Sequence, residues 1–234
     1  MQTKKTIKTI LFLTFLLAIG VLYYLTLFVG GNIGNTSSFI IVALCFIYSL
    51  LYLDVKNFKI LTQIALCFTV LADVFLVLLI PRTTQNQSIA MTFFTVTQLA
   101  YLVRLVKEQK SKTTNLINLY IRLPLIAVML FVAYIVLKEK TNYLVIISVI
   151  YYVNLLLNVT FAFINVKKVP LLAIGLLLFM LCDTVVGLQV MTNSFIPIQN
   201  DFITFINSFN LAWLFYAPAQ VLLSISAKDQ PSIK

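Results

Sequence analysis

Eight long apolar stretches, separated by short polar breaks, account for most of the chain. They run at about residues 7–29, 39–53, 60–80, 89–106, 116–137, 143–164, 170–191 and 202–226. Within each stretch the apolar residues are nearly continuous, not alternating as the strands of a membrane barrel require. A helix needs about 20 residues to cross roughly 30 Å of hydrocarbon. Most of the stretches reach that length, and the second and fourth fall short of it. The pattern predicts an all-α, polytopic membrane protein with eight transmembrane helices, forming a single membrane-embedded helical domain over residues 1–234. The polar segments at 30–37, 81–88, 107–115 and 192–200, and the tail at 227–234, are too short to fold by themselves. No repeat of domain-building length and no low-complexity tract interrupts the pattern. Any chemistry therefore belongs inside the bilayer or at its surface.

Composition agrees with this. The chain is 61% hydrophobic and 10% charged, whereas soluble chains run at about 45–50% and about 25%. Its mean hydropathy is +1.02. A soluble enzyme, a nucleic-acid-binding module and a disordered tail are excluded together. The net charge of +10 would suggest a nucleic-acid partner in a soluble protein, but here it reports orientation. With the N-terminus inside, 13 basic residues fall on cytoplasmic segments: Lys4, Lys5, Lys8, Lys56, Lys59, Arg104, Lys107, Lys110, Lys112, Lys167, Lys168, Lys228 and Lys234. Only Arg82, Lys138 and Lys140 fall on the other side. That bias predicts cytoplasmic N- and C-termini. The lysines before the first stretch also resemble a signal-peptide n-region. The apolar run is long for a signal peptide and has no clear A-x-A site, so an uncleaved first helix is expected, although seven helices after cleavage would satisfy the charge bias equally. Short loops and richness in Ile, Leu, Lys and Asn fit a bacterial inner membrane. Asn35-Thr36-Ser37 and Asn86-Gln87-Ser88 match the glycosylation sequon on expected outside loops, a pattern common by chance.

The chain has no histidine, which removes Ser-His-Asp triads and histidine-ligated zinc. Cys45, Cys67 and Cys182 lie within apolar runs and read as small core residues. Within the expected spans the ionisable groups are Asp73, Arg122 and Asp183. A charge at such depth costs at least about 2.5–3.5 kcal/mol, so each marks a candidate functional site. Asp73 and Asp183 each lie 13 residues into an outward-running stretch, about 20 Å from the cytoplasmic end. Carboxylates meeting at one depth cannot both ionise cheaply, which gives an acid beside a carboxylate and suits acid–base work. The plainer reading is that each Asp only bonds a neighbouring helix. Arg122, beside Pro124, either snorkels to the interface or binds a phosphate headgroup or a carboxylate. Gln63, Gln98, Tyr101, Asn154, Asn158, Asn207, Asn210, Tyr216 and Gln220 are the uncharged polar candidates.

These residues resemble the YhhN-like membrane proteins, which include the lysoplasmalogenases. That family's third-helix Gly-Asp motif is approximated by Leu71-Ala72-Asp73-Val74-Phe75-Leu76. Its seventh-helix G-x-x-x-F-x-x-S-D motif is approximated by Gly175, Phe179, Cys182 and Asp183, with Cys in place of Ser. Its last-helix Y-x-x-A-Q is matched by Tyr216-Ala217-Pro218-Ala219-Gln220. Two departures stand out: Ala72 replaces the Gly, and Gln98 with Tyr101 stand where the family has a His followed three residues later by Tyr.

The resemblance implies an eight-helix fold and hydrolysis of the vinyl-ether bond of a lysoplasmalogen to a fatty aldehyde and a glycerophospho-headgroup. It implies Asp73 and Asp183 as catalytic residues, with Gln98, Tyr101, Arg122, Tyr216 and Gln220 around the substrate. The chemistry needs a proton donor and an anion but no metal or cofactor. The expected partners are a lysophospholipid substrate and membrane lipids, with no nucleic acid and no indication of oligomeric state. Two other classes stay open. The Asp pair also suits a proton- or sodium-coupled transporter, and loss of the family His suits a non-catalytic lipid-binding protein.

Overall fold

The computed structural model describes residues 2–52, 58–79, 83–192 and 210–228, with side chains from Thr6 onward. All regular structure among them is helical. The helices are α1 (Gln2–Tyr24), α2 (Gly31–Leu50), α3 (Ile60–Asp73), α4 (Thr84–Glu108), α5 (Lys112–Tyr120), α6 (Arg122–Leu137), α7 (Tyr143–Ile164), α8 (Pro170–Val190) and α9 (Leu211–Ser226). Wide π turns extend α1 over Leu25–Val29 and α3 over Val74–Leu78. Seven of the helical segments are long and apolar enough to cross a membrane. The helix α9 is apolar but has 16 residues. Residues 202–209 of the eighth expected stretch, Asn207 and the segment 193–200 lie outside the described residues, as do Lys56, Arg82 and Lys234.

Three boundaries differ from the sequence expectation, each for a local reason. The second and fourth spans, expected at 39–53 and 89–106, start well before their apolar runs, at Gly31 and Thr84. Polar residues are at home in a first helical turn, where their side chains cap free N–H groups. Thr83 does so for α4, its Oγ1 accepting from the Asn86 N–H at 3.1 Å. Before α2, Gly30 and Gly31 take φ of +65° and +58°, a reversal that a side chain would strain. Both short spans thereby gain crossing length. Asn35 and Asn86, expected on outside loops, stand within the second turn of α2 and the first turn of α4. The fifth span, expected at 116–137, starts at Lys112 and is interrupted at Ile121. Pro124 lacks the N–H that would meet the Tyr120 carbonyl, which loosens the helix there.

Six helices close a ring in the order α2, α3, α4, α7, α8 and α9, with α9 packing back on α2 and α3. One large apolar core fills it, drawn from all six. Outside the ring, α1 packs mainly on α2, and α6 mainly on α7. The outer face of α6 carries Leu123, Phe131 and Tyr134 at 74%, 64% and 63% exposed. Such a face is unsustainable in water and ordinary in lipid. The chain is an integral membrane protein. Lys8 and Lys228 approach one ring, that of Tyr52, at 5.5 and 5.9 Å. The beginning and end of the described chain therefore meet at one end of the bundle.

Two packing details fix α9. Pro218 removes the N–H that would bond the Leu214 carbonyl, and the Tyr23 hydroxyl of α1 donates to that carbonyl at 3.0 Å. On the other side, α8 approaches so closely that a Cβ on Gly175 would lie 2.9 Å from Leu223 Cγ and 3.3 Å from Leu223 N. Gly175→Val is expected to push the two helices apart and cost about 1–3 kcal/mol. A lowered unfolding midpoint in detergent checks this, and an unchanged midpoint would refute the close approach.

Candidate functional site

Arg104 sets the depth scale. It is fully buried and donates to Thr62 Oγ1 of α3 and to Ser226 of α9, reaching Oγ and the carbonyl oxygen at 2.9 Å each. Thr62 and Ser226 are thus level. Asp73 lies 11 residues beyond Thr62, and Tyr216 lies 10 before Ser226, each about 15–16 Å away along antiparallel helices. They are level in turn, and the Tyr216 hydroxyl donates to Asp73 Oδ2 at 2.8 Å. Asp73 is 2% exposed. It is the last residue of α3 before the π turn, where Leu79 N–H bonds Val74 O at 3.1 Å. Such turns are frequent at functional positions because they re-aim the flanking side chains.

Asp183 of α8 is partly buried and accepts from the Tyr151 hydroxyl of α7 on Oδ2. Phe179, four residues before Asp183 on α8, packs on the ring of Tyr216, which brings the two acids to one region of the bundle. An aromatic chain locks the group together. Phe179 lies 5.4 Å from Tyr216 and 5.8 Å from Phe94, which lies 5.8 Å from Tyr151. Cys182, where the family has Ser, is buried beside both carboxylates. The result is an acid pair with one phenolic donor per acid, walled by rings from α4, α7, α8 and α9.

The remaining candidates lie nearer the Arg104 end. Thr97 and Thr69 share a hydroxyl contact of 3.4 Å, and Thr69 lies four residues before Asp73. Gln98, next to Thr97, is therefore about one turn inward of the acids. Gln220 lies one turn inward of Tyr216, and Tyr101 one turn beyond Gln98. All three are fully buried. Gln98 Nε2, the Tyr101 hydroxyl and both amide atoms of Gln220 have no hydrogen-bond partner. Buried polar atoms left unpaired are rare and mark positions where a ligand or water belongs.

Arg122 does not take the interfacial position that one sequence reading gave it. At 5% exposed it does not snorkel. Among the described residues its guanidinium donates only to amide groups: Asn118 O and Oδ1 at 3.1 and 2.8 Å, Asn154 O and Oδ1 at 3.4 and 2.6 Å, and Asn158 Oδ1 at 2.9 Å. Asn210, by contrast, bonds the Thr26 carbonyl at 3.2 Å, and Gln63 bonds the Ser49 carbonyl at 3.1 Å. Both are ties between segments.

Two residues escaped the sequence reading. Arg104 was expected in a cytoplasmic segment, because its position near the end of an apolar run does not reveal that its side chain turns inward. Twelve basic residues still oppose three without it. Tyr151 carried a usable signal. It lies eight residues into α7, and Asp183 lies seven before the end of α8, so counting depth from the far side would have paired them.

Residues 36–227 match the YhhN family. The chain belongs to that family. The matched region holds every residue of the acid pair and its surround and leaves α1 outside. No curated protein and no solved structure matches the chain. Within the matched region Tyr216 bonds Asp73, Phe179 packs on Tyr216, and Gly175 lets α8 reach α9. Gln98, at the family's His position, lies one turn from the acids and has no proton to exchange.

Proposed function

We propose that this YhhN-family chain is a membrane-embedded hydrolase that cleaves the vinyl-ether bond of a lysoplasmalogen or related lysolipid. It crosses the membrane eight times with both termini cytoplasmic. The observation that carries the proposal is that Asp73 and Asp183 each accept from a tyrosine hydroxyl and that those two tyrosines are joined by one chain of packed rings. One acid donates its proton to the vinyl carbon, leaving an oxocarbenium ion. The neighbouring carboxylate stabilises that cation and takes a proton from the attacking water. The hemiacetal so formed collapses to a fatty aldehyde and the free hydroxyl of the glycerophospho-headgroup. With Gln98 at the family's His position, the proton transfers fall to the aspartates. Gln220 and Tyr101 offer unpaired polar atoms to the headgroup side of the lipid.

The test is aldehyde release from a lysoplasmalogen by the purified protein in liposomes. Turnover that depends on the protein is expected. Lipid binding with no aldehyde would replace hydrolysis with a binding role.

A further inference from the structure

Arg122 and Gln98 are linked by a chain of bonds with a definite polarity. A guanidinium has five N–H donors and no acceptor, and five bonds leave Arg122 for Asn118, Asn154 and Asn158. Asn158 must therefore turn its oxygen toward Arg122. Its Nδ2 then faces the other way and donates to Gln98 O at 2.8 Å and Gln98 Oε1 at 3.0 Å. That commits the Gln98 oxygen and leaves Nε2 buried and unpartnered. Rotating the Gln98 amide would set two NH2 groups against each other. Rotating Asn158 would set its NH2 against the cation. Arg122 and the Gln98 carbonyl together fix the Asn158 amide, and through it which end of the Gln98 amide is left unpaired.

We propose that Arg122, acting through Asn158, fixes Gln98 as a hydrogen-bond donor to an oxygen of the bound ether lysolipid. Arg122 and Asn158 are positioning residues and not headgroup ligands. The inference rests on the reading of the site as one for lysolipids. It adds that the site requires an acceptor oxygen about one turn inward of the acids.

The test uses a 1-O-alkyl lysophosphocholine, whose saturated ether lacks the vinyl group and is not turned over. Its binding to the full chain in detergent is read from Trp213, the single tryptophan, whose ring lies 5.0 Å from that of Tyr216. Asn158→Asp keeps the shape and gives Arg122 a carboxylate, but it loses the bond to Gln98 O and sets two acceptors 2.8 Å apart. A modest fall in melting temperature is therefore expected, and binding is measured well below it. Asp only accepts, so Gln98 must turn Nε2 toward it and present Oε1 to the ligand. Affinity is expected to fall about tenfold, the scale of one hydrogen bond exchanged for acceptor–acceptor repulsion. Gln98→Leu should lose a similar factor, and adding it to Asn158→Asp should lose nothing more. Wild-type affinity in either single variant, or independent losses in the double variant, would overturn the proposal.

The relay is also scored without ligand, from the Gln98 side-chain amide protons by NMR. They should move downfield in Asn158→Asp, and unmoved resonances would overturn the relay itself. Absence of wild-type binding beside a positive NMR result would overturn the lysolipid reading alone.

Discussion

Asp73→Asn and Asp183→Asn each lower aldehyde release by about 10²–10⁴-fold, the usual range for loss of a positioned acid or base. Neither change should unfold the protein. Asn has the shape of Asp and keeps an oxygen for the Tyr216 or Tyr151 hydroxyl to donate to. What it lacks is a proton to give and a charge to stabilise the oxocarbenium ion. The double variant should be little worse than either single one, because a pair acting as a unit fails when one member goes. Rates of aldehyde release, with melting temperature as the control for folding, decide the matter. A rate within threefold of wild type in either variant would remove that residue from the chemistry. Rescue by a histidine is not available, since the chain has none.

Arg122→Met is expected to produce the largest loss of stability, about 3 kcal/mol. Five hydrogen bonds disappear, and the three that reach Asn154 and Asn158 of α7 join separate spans, each worth about 0.6 kcal/mol in a bilayer. The side-chain oxygens of Asn118, Asn154 and Asn158 lose their shared donor, which pushes the cost upward. Arg122→Lys restores the charge but not the planar five-donor fork, so it should recover about half. Equilibrium unfolding in mixed micelles measures both. A loss under about 1 kcal/mol for the Met variant would show that the asparagine cluster closes on itself without the cation.

Hydropathy located the membrane-crossing stretches well, because the cost of unpaired backbone in lipid leaves the chain few other options. It placed the starts of α2 and α4 less well. Hydropathy reports where the apolar run begins, whereas a helix begins where its first N–H groups find caps, as Thr83 shows. Depth along a helix was legible where two helices run antiparallel: counting from the Arg104 end puts Asp73 and Tyr216 on one level, where they bond. Direction around a helix was not. A span apolar on every side has little periodicity to show which face turns inward, so Arg104 looked like a loop charge and Arg122 like an interfacial one. The asparagines of α7 were visible as polar candidates. Their service to a guanidinium required knowing that α6 packs on α7.

The Tyr23 hydroxyl on the Leu214 carbonyl changes what counts as one folding unit. The region shared with the family starts at residue 36, so similarity alone would draw the boundary after α1 and treat that helix as an accessory. Yet a proline within the site helix frees a carbonyl, and the donor that covers it comes from the excluded segment. A chain begun at residue 36 would present that oxygen to hydrocarbon four residues from Pro218 and two from Tyr216. The similarity boundary and the cooperative boundary therefore fall in different places. Removing residues 1–35 is expected to weaken the packing of α9 as well as to remove α1.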